Sequence, residues 1–245
     1  MPKFSLFLSL LLLLSACAGP PSDQDAGSAA SYATAMRAVR QGEVDKGIGE
    51  LQGIIARSKG SVRRQAEIGL IYAYYAKGEY GTALTKSNAF LEANPGHPQL
   101  AYVYYLRALI RHRQGEEHLK RLMDTLDPQN DYPEELREAY DDYVALIQRY
   151  PKSQYAQTAY KKILAIRKDL AKYELHLARY EMVEGNHREA ARHAEYVMEY
   201  FSDNLSRKYA LTILIRAYQA LDMPKKAANA KKQLQELTVR FEESK

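Results

Sequence analysis

The sequence predicts an all-α solenoid of about five stacked helix pairs, with an insertion in the third. Three observations carry this. From Ser31 onward apolar residues recur at helical spacing, and no strand-like alternation bounded by turn residues interrupts them. Glycine and proline fall between the periodic segments rather than inside them. One phrase also returns along the chain: a helix, a short turn, and a second helix opening on a small residue. A chain of 245 residues has room for one large domain or two small ones, and its mean hydropathy of −0.48 excludes a polytopic membrane protein. A single cysteine excludes a disulfide framework and any cysteine-based zinc site.

The second copy shows the phrase most clearly. Leu70, Ile71 and Tyr74 line one face of its first helix, Gly78 and Tyr80 make the turn, and Ala83 opens the second helix. Phe90 and Leu91 continue that face and Pro95 ends it; Gly78 to Ala83 is five residues and Ala83 to Pro95 is twelve. Each residue type answers a need. Glycine permits a tight turn, alanine lets two backbones approach, and proline stops a helix. Gly42 to Gly47 repeats the five-residue step, with Leu51 and Ile54 following. Gly185 to Ala190 and Asp222 to Ala227 repeat it again, and Ala139 to Pro151 repeats the twelve. Leu211, Leu214, Ile215 and Tyr218 form the apolar stripe before Asp222. These spacings resemble the tetratricopeptide repeat, which implies a right-handed superhelical solenoid with a concave face.

Two intervals are too long for a plain repeat. Gly115 to Ala139 is 24 residues where five is expected, so repeat three carries an insertion, with turn chemistry at Leu126-Asp127-Pro128-Gln129-Asn130-Asp131. No glycine or proline occurs from Lys152 to Glu184, which predicts a helix of about thirty residues opening repeat four.

The N-terminus reads as an address. Lys3 precedes an apolar run from Phe4 to Leu14, too short for the roughly 20 residues that span a bilayer. Leu14-Ser15-Ala16-Cys17 then resembles a bacterial lipobox. Residues 1–16 are thus expected to be a lipoprotein signal peptide. Cys17 would carry diacylglycerol on sulfur and an acyl chain on its freed amine, enough for stable anchoring. By the same resemblance, Ala18 after the cysteine favours the outer membrane of a Gram-negative bacterium, with the fold in the periplasm. Residues 18–30 show no hydrophobic period and are expected to be a flexible tether, roughly 20 Å as a coil.

No catalytic constellation emerges, and neither a cofactor nor a metal is expected. Gly47-Ile48-Gly49-Glu50-Leu51-Gln52-Gly53 misses the dinucleotide fingerprint by one residue and lies within a predicted helix. His112/His118 and His187/His193 are each six apart, on different helix faces, and read as surface or groove histidines. Glu116-Glu117, Glu134-Glu135 and Asp141-Asp142 are neighbours that point apart on a helix.

Binding remains. In tetratricopeptide domains the first helix of each repeat lines the concave face. That phase places Tyr32, Met36, Ile68, Tyr72, Tyr75, Tyr102, Tyr105, Leu109 and His112 there. Tyrosine offers apolar area and a polar handle at low entropy cost, which suits extended peptides bearing aromatic side chains. Packing between repeats is the competing role for each tyrosine. Arg107 stands where a repeat usually buries an apolar residue, and either pairs with an acid such as Asp141 or Asp142 or captures a peptide carboxylate. Arg188, Arg192 and His193 load the second helix of repeat four; Lys225, Lys226, Lys231 and Lys232 load the last helix. They are either solvated faces or a dock for an acidic protein partner; nucleic acid is not expected behind a lipobox.

Four blocks then resemble the outer-membrane protein assembly factor BamD (ComL) family. They are Leu70-Ile71-Tyr72-Ala73-Tyr74-Tyr75, Phe90 to Pro98, Tyr150 to Ala156, and Leu170-Ala171-Lys172-Tyr173-Glu174. The resemblance implies a periplasm-facing lipoprotein of the β-barrel assembly machinery. Repeats 1–3 (31–152) would receive the aromatic-ended C-terminal strand of unfolded barrel proteins. Repeats 4–5 (153–245) would dock the barrel-forming insertase BamA, with other lipoproteins of the machinery also as partners. Three positions depart from the family. Thr125-Leu126-Asp127-Pro128 lacks an arginine, Phe201-Ser202 replaces Tyr-Pro, and His193 stands where the family tends to place arginine. Arg192 is adjacent but about 100° away around the helix. A tetratricopeptide pilotin or adaptor lipoprotein for a secretin or pilus system, and a helical cell-wall enzyme or its partner, are the alternative readings.

Overall fold

The computed structural model describes residues 23–124, 132–201 and 203–243. Among them are ten helices: α1 (Asp23–Arg40), α2 (Val44–Arg57), α3 (Gly60–Lys77), α4 (Tyr80–Ala93), α5 (Leu100–Asp124), α6 (Glu134–Arg149), α7 (Ala156–Val183), α8 (His187–Tyr200), α9 (Asn204–Ala220) and α10 (Pro224–Glu243). They form five helical hairpins, each packed on the next. Beyond neighbours in the chain, α1 touches α3, α3 touches α5, α5 touches α7 and α7 touches α9. No even-numbered helix touches the next even-numbered one among the described residues. The odd helices are therefore the crowded inner layer and the even helices the splayed outer one, which curves the stack.

The five-residue steps have the backbone their chemistry requires. Gly42, Gly78 and Gly185 take positive φ of 89°, 83° and 79°. Asp222 fills the equivalent position at φ 54°, one of the few non-glycine types that tolerate it. The small residue five positions on sits at the helix–helix contact: Ala83, Ala139 and Ala190 are fully buried. At Gly47 an added methyl would meet the Ala35 carbonyl oxygen at 2.9 Å and collide with Val39. Asn94 and Tyr150, the residues before Pro95 and Pro151, both leave the helical region and cap α4 and α6.

Two expectations change. Helix α1 begins at Asp23, so residues 23–30 continue the first helix instead of belonging to a tether. Alanine-rich polar sequence can extend a helix already nucleated by packing without any apolar period. Gly115 lies within α5 and not in a turn. A Cβ there would stand 2.7 Å from Leu136 Cγ and 2.8 Å from the Leu136 amide nitrogen, so glycine lets α6 close onto α5. The insertion in repeat three accordingly appears as an α5 of 25 residues; the turn expected at 126–131 lies outside the described residues, as do the lipobox and Cys17. The long helix of repeat four is α7, 28 residues from Ala156, so Tyr155 is its N-cap.

Burial falls into three clusters. One joins α1, α2 and α3 around Leu51, Ile54 and Leu70. A second joins α3, α4 and α5 around Ile71, Phe90 and Leu106. The largest runs from α5 to α10 through Leu136, Tyr143, Ile166 and Leu211, so the boundary at 152/153 falls inside a continuous core.

Candidate peptide-binding face

The inner layer carries a nearly continuous series of tyrosine rings. Tyr72 and Tyr75 on α3 have centroids 6.1 Å apart, and Tyr75 meets Tyr80 at 6.2 Å. On α5, Tyr102 and Tyr105 both pack on Tyr155, at 5.4 and 5.2 Å, the second pair stacked. Tyr105 continues to Tyr143 at 6.1 Å, and Tyr143 meets the His112 ring edge-to-face at 6.0 Å. Tyr32 and Tyr72 lie close enough to Tyr102 to act on its phenol, so the α1, α3 and α5 sets form one surface. Burial chiefly, then neighbouring Tyr155, pushes Tyr102 up to about 12, and burial raises Tyr75 and Tyr105 as well. These phenols stay neutral, offering apolar rings with hydroxyls that donate and accept.

The nine residues expected on this face separate by depth. Tyr32, Tyr72, Tyr75, Tyr102, Tyr105 and Leu109 are half-buried and present surface. Met36, Ile68 and His112 do not: they are 9%, 2% and 1% exposed and form the floor between helices. Helical phase gives direction, whereas depth depends on what the next helix covers. His112 is closed off by Tyr143 of α6 and by α7, whose Lys162 and Asp169 act on it. Both its ring nitrogens are buried without a hydrogen-bond partner, and burial holds its pKa below the usual imidazole range.

Tyr155 is the residue that sequence reasoning passed over. It joins Tyr102 to Tyr105 although it lies outside any helical phase, at the α7 N-cap. Its signal was position, four residues beyond Pro151. A depression of about 560 Å³ opens beside it, lined by Gln99, Tyr102, Arg149, Tyr150, Lys152 and Tyr155 among others.

Arg107 is engaged within the fold. Its Nε and Nη2 donate to Asp142 at 3.1 and 2.5 Å, and Nη1 donates to Asn88 at 3.1 Å. Arg111 Nη1 donates to the same carboxylate at 2.6 Å. Asp142 is 7% exposed, whereas its neighbour Asp141 is exposed, as two adjacent helix positions should be.

At the C-terminal end, Arg188, Arg192, Lys225 and Lys226 are exposed. His193 is 12% exposed, and its Nδ1 lies 2.7 Å from the buried Glu174 carboxylate. Arg192 does not point away from it: Nη2 is 3.0 Å from His193 Nε2. Guanidinium can only donate, so Nε2 accepts and Nδ1–H donates to Glu174. A chain Glu174–His193–Arg192 thus runs to the surface, where Arg192 Nε also donates to Glu189 at 2.6 Å. Lys226 lies over the Tyr218 ring at 5.1 Å and 3.5 Å from Glu195, which ties α10 to α8. Beside it a groove of about 450 Å³ runs between α8 and α10 over α9.

Among the described residues no group of three or more histidine, cysteine, aspartate or glutamate side chains is placed to hold a metal, and no helix is long and apolar enough to cross a membrane. Comparison with known proteins is consistent across the chain. Residues 24–234 match the YfiO family, described as outer membrane lipoprotein. An outer membrane protein assembly factor BamD of Neisseria gonorrhoeae is 30% identical over 243 residues, covering 96% of this chain and 91% of that protein. The Vibrio cholerae BamD is 28% identical over 231 residues, covering 94% and 95%. A tetratricopeptide repeat protein from Parabacteroides merdae is similar in structure at a TM-score of 0.38 and 15% identity, covering 86% of this chain and 78% of that one. The family match over residues 24–234 and the 30% identity over 96% of the chain show that the chain belongs to the outer-membrane protein assembly factor BamD family.

Proposed function

We propose that this chain is a non-enzymatic, lipid-anchored component of the machinery that assembles β-barrel proteins into the outer membrane. Membership of the BamD family over residues 24–234 is the observation that carries it. The inner face of α3 and α5 would receive unfolded barrel segments ending in an aromatic residue. Support comes from the half-buried rings of Tyr72, Tyr75, Tyr102 and Tyr105, which offer apolar area and hydroxyls without the buried charge that an extended strand would have to desolvate. BamA would dock on the C-terminal repeats, where Arg188, Arg192 and Lys225 give an exposed positive surface and the Glu174–His193–Arg192 chain takes the place of the family's arginine. Cys17, acylated, would hold the whole at the periplasmic face of the outer membrane.

Photo-crosslinking to synthetic barrel C-terminal peptides tests the groove. Alanine at Tyr72, Tyr75, Tyr102 and Tyr105 should weaken crosslinking while the circular dichroism spectrum stays helical. Unchanged crosslinking removes the groove assignment. Affinity purification from detergent-solubilised envelopes should bring down BamA, and mass spectrometry of the mature chain should find acyl groups on Cys17.

A further inference from the structure

The structure assigns a second surface, on the first half of α7, that nothing in the assembly role uses. Tyr200, the last residue of α8, accepts a hydrogen bond at its carbonyl from Arg167 Nη2 at 2.7 Å. Helix α8 therefore ends level with Arg167. Helix α9 turns back from there along the second half of α7, where Arg179 lies over the Tyr209 ring at 5.5 Å. Residues 156–166 project beyond both helices. Ala159, Ile163 and Ile166 bury their side of this projection in the main core, and among the described residues the opposite side has no covering helix.

That side has a definite chemistry. At 100° per residue, Tyr160, Leu164, Gln157, Lys168, Lys161 and Lys172 fall within an arc of roughly 120°. All six are exposed, Tyr160 by 58% and Leu164 by 50%. Between Ala156 and Lys172 the sequence has five cations, Lys161, Lys162, Arg167, Lys168 and Lys172, against one acid, Asp169. Asp169 is held by Lys172 at 2.7 Å. Lys161 and Lys168 have no ion-pair partner among the described residues. An aromatic and a leucine thus border a row of free ammonium groups.

We infer that this face lies against an anionic phospholipid surface. The choice between lipid and protein rests on which cations are free. Protein interfaces favour arginine and deplete lysine, and here the arginine is turned inward onto Tyr200 while the outward cations are lysines. A helix face with lysines beside a tyrosine and a leucine has the composition of one lying in the membrane interface: the stems snorkel, the ammonium groups meet phosphates, and the tyrosine ring sits at headgroup level. Exposed Tyr200, joined to the same stripe through Arg167, extends the surface.

The test uses the mature chain from residue 17 with Cys17→Ser, so that no acyl chain contributes. Cosedimentation with phosphatidylcholine vesicles, with and without phosphatidylglycerol, should show binding only to the anionic vesicles and its loss at high salt. K161E/K168E should reduce binding about tenfold or more, and Y160S/L164S should reduce it with the charge intact. K231E/K232E, the same charge change on α10, should not. Thermal melts confirm folding, and K161A/K168A serves if the charge reversal unfolds the chain. Failure of the unaltered chain to bind anionic vesicles overturns the inference, as does equal loss from the α10 control. Retention on immobilised polyglutamate, sensitive to Tyr160 and Leu164 but without vesicle binding, also overturns it in favour of an acidic protein partner.

Discussion

The outer helices are tied to the inner ones differently in the middle of the solenoid and at its ends. At the N-terminal end Tyr74 of α3 is the tie: its hydroxyl accepts from Gln52 of α2 at 3.3 Å, and Lys86 of α4 lies over its ring at 5.4 Å. At the C-terminal end Tyr218 of α9 repeats this, bonding Glu195 of α8 while Lys226 of α10 covers its ring. In the middle Tyr104 of α5 makes such a tie to Arg149 of α6, whose Nη1 donates to its hydroxyl at 2.7 Å, and an ionic tie is added to it. Arg107 of α5 reaches Asn88 of α4 and Asp142 of α6, and Arg111 joins the same carboxylate. The ends are therefore held by amphipathic rings that can lose a contact to water at little cost. The middle is held in addition by a half-buried charge set that cannot.

The sharpest test of that contrast is Asp142→Ala. It leaves two arginines, 19% and 20% exposed, facing each other without their carboxylate. Removing one partner of a buried ion set costs about 3–5 kcal/mol, and urea unfolding should show it. Glu195→Ala, in the C-terminal tie, removes a carboxylate 49% exposed to water and should cost less than about 1 kcal/mol. Equal losses at the two sites would erase the distinction between middle and ends.

Backbone approach gives a second, smaller contrast. Gly115→Ala forces a methyl against the Leu136 amide nitrogen, which is part of the α6 backbone and cannot rotate away, so a cost of about 2 kcal/mol is expected. Gly49→Ala near the N-terminal end has nothing within 4 Å of the new methyl and should stabilise α2 by about 1 kcal/mol. Opposite signs in thermal melts would confirm that Gly115 marks a tight helix contact and Gly49 an open surface.

These pairs also mark what the sequence could convey. The four turn positions, Gly42, Gly78, Gly185 and Asp222, were legible because each requires a left-handed backbone, and residue type reports that directly. The small residues five positions on were legible for a similar reason. Gly115 was not, because a glycine in a turn and a glycine under a crossing helix look alike in one dimension. The start of α1 was hidden because residues 23–30 carry no apolar period. At the candidate site, the phase of Tyr72, Tyr75, Tyr102 and Tyr105 was readable from α3 and α5 alone. The depth of His112 was not, because it is set by α6 and α7, far along the chain. Tyr155 reaches the face from an N-cap, where no periodicity applies.

His112 makes the middle sensitive to acid. Burial, opposed by Glu116 and Asp169 and helped by Lys162 and Arg113, holds its pKa below the ordinary value. Between that lowered value and the unfolded value near 6.5 the unfolded chain binds a proton that the folded chain refuses, so stability falls as pH drops. His97 and His176 shift the same way, again through burial. The melting temperature should thus decline as pH falls from about 7 to about 5. His112→Phe should flatten part of the slope, since a phenyl ring keeps the edge contact with Tyr143 and takes no proton. An unchanged slope would show that the middle tolerates the imidazolium.

The smallest expected effects lie in the tyrosine ties themselves. Tyr218→Phe keeps the ring beneath Lys226 and removes only the hydroxyl that donates to Glu195. Tyr218 is 7% exposed, but its acceptor is half in water and can exchange the lost bond for solvent. A cost of about 0.5 kcal/mol follows. Tyr74→Phe removes an acceptor from Gln52, an exposed neutral amide at the longer distance of 3.3 Å, and should cost less still. Both phenylalanines preserve the apolar area and the cation over the ring, so alanine at either position should be several times worse. If instead Tyr74→Phe and Tyr74→Ala were equally damaging, the hydroxyl and not the ring would be the tie at that end. The N-terminal end would then resemble the polar middle more than its C-terminal counterpart.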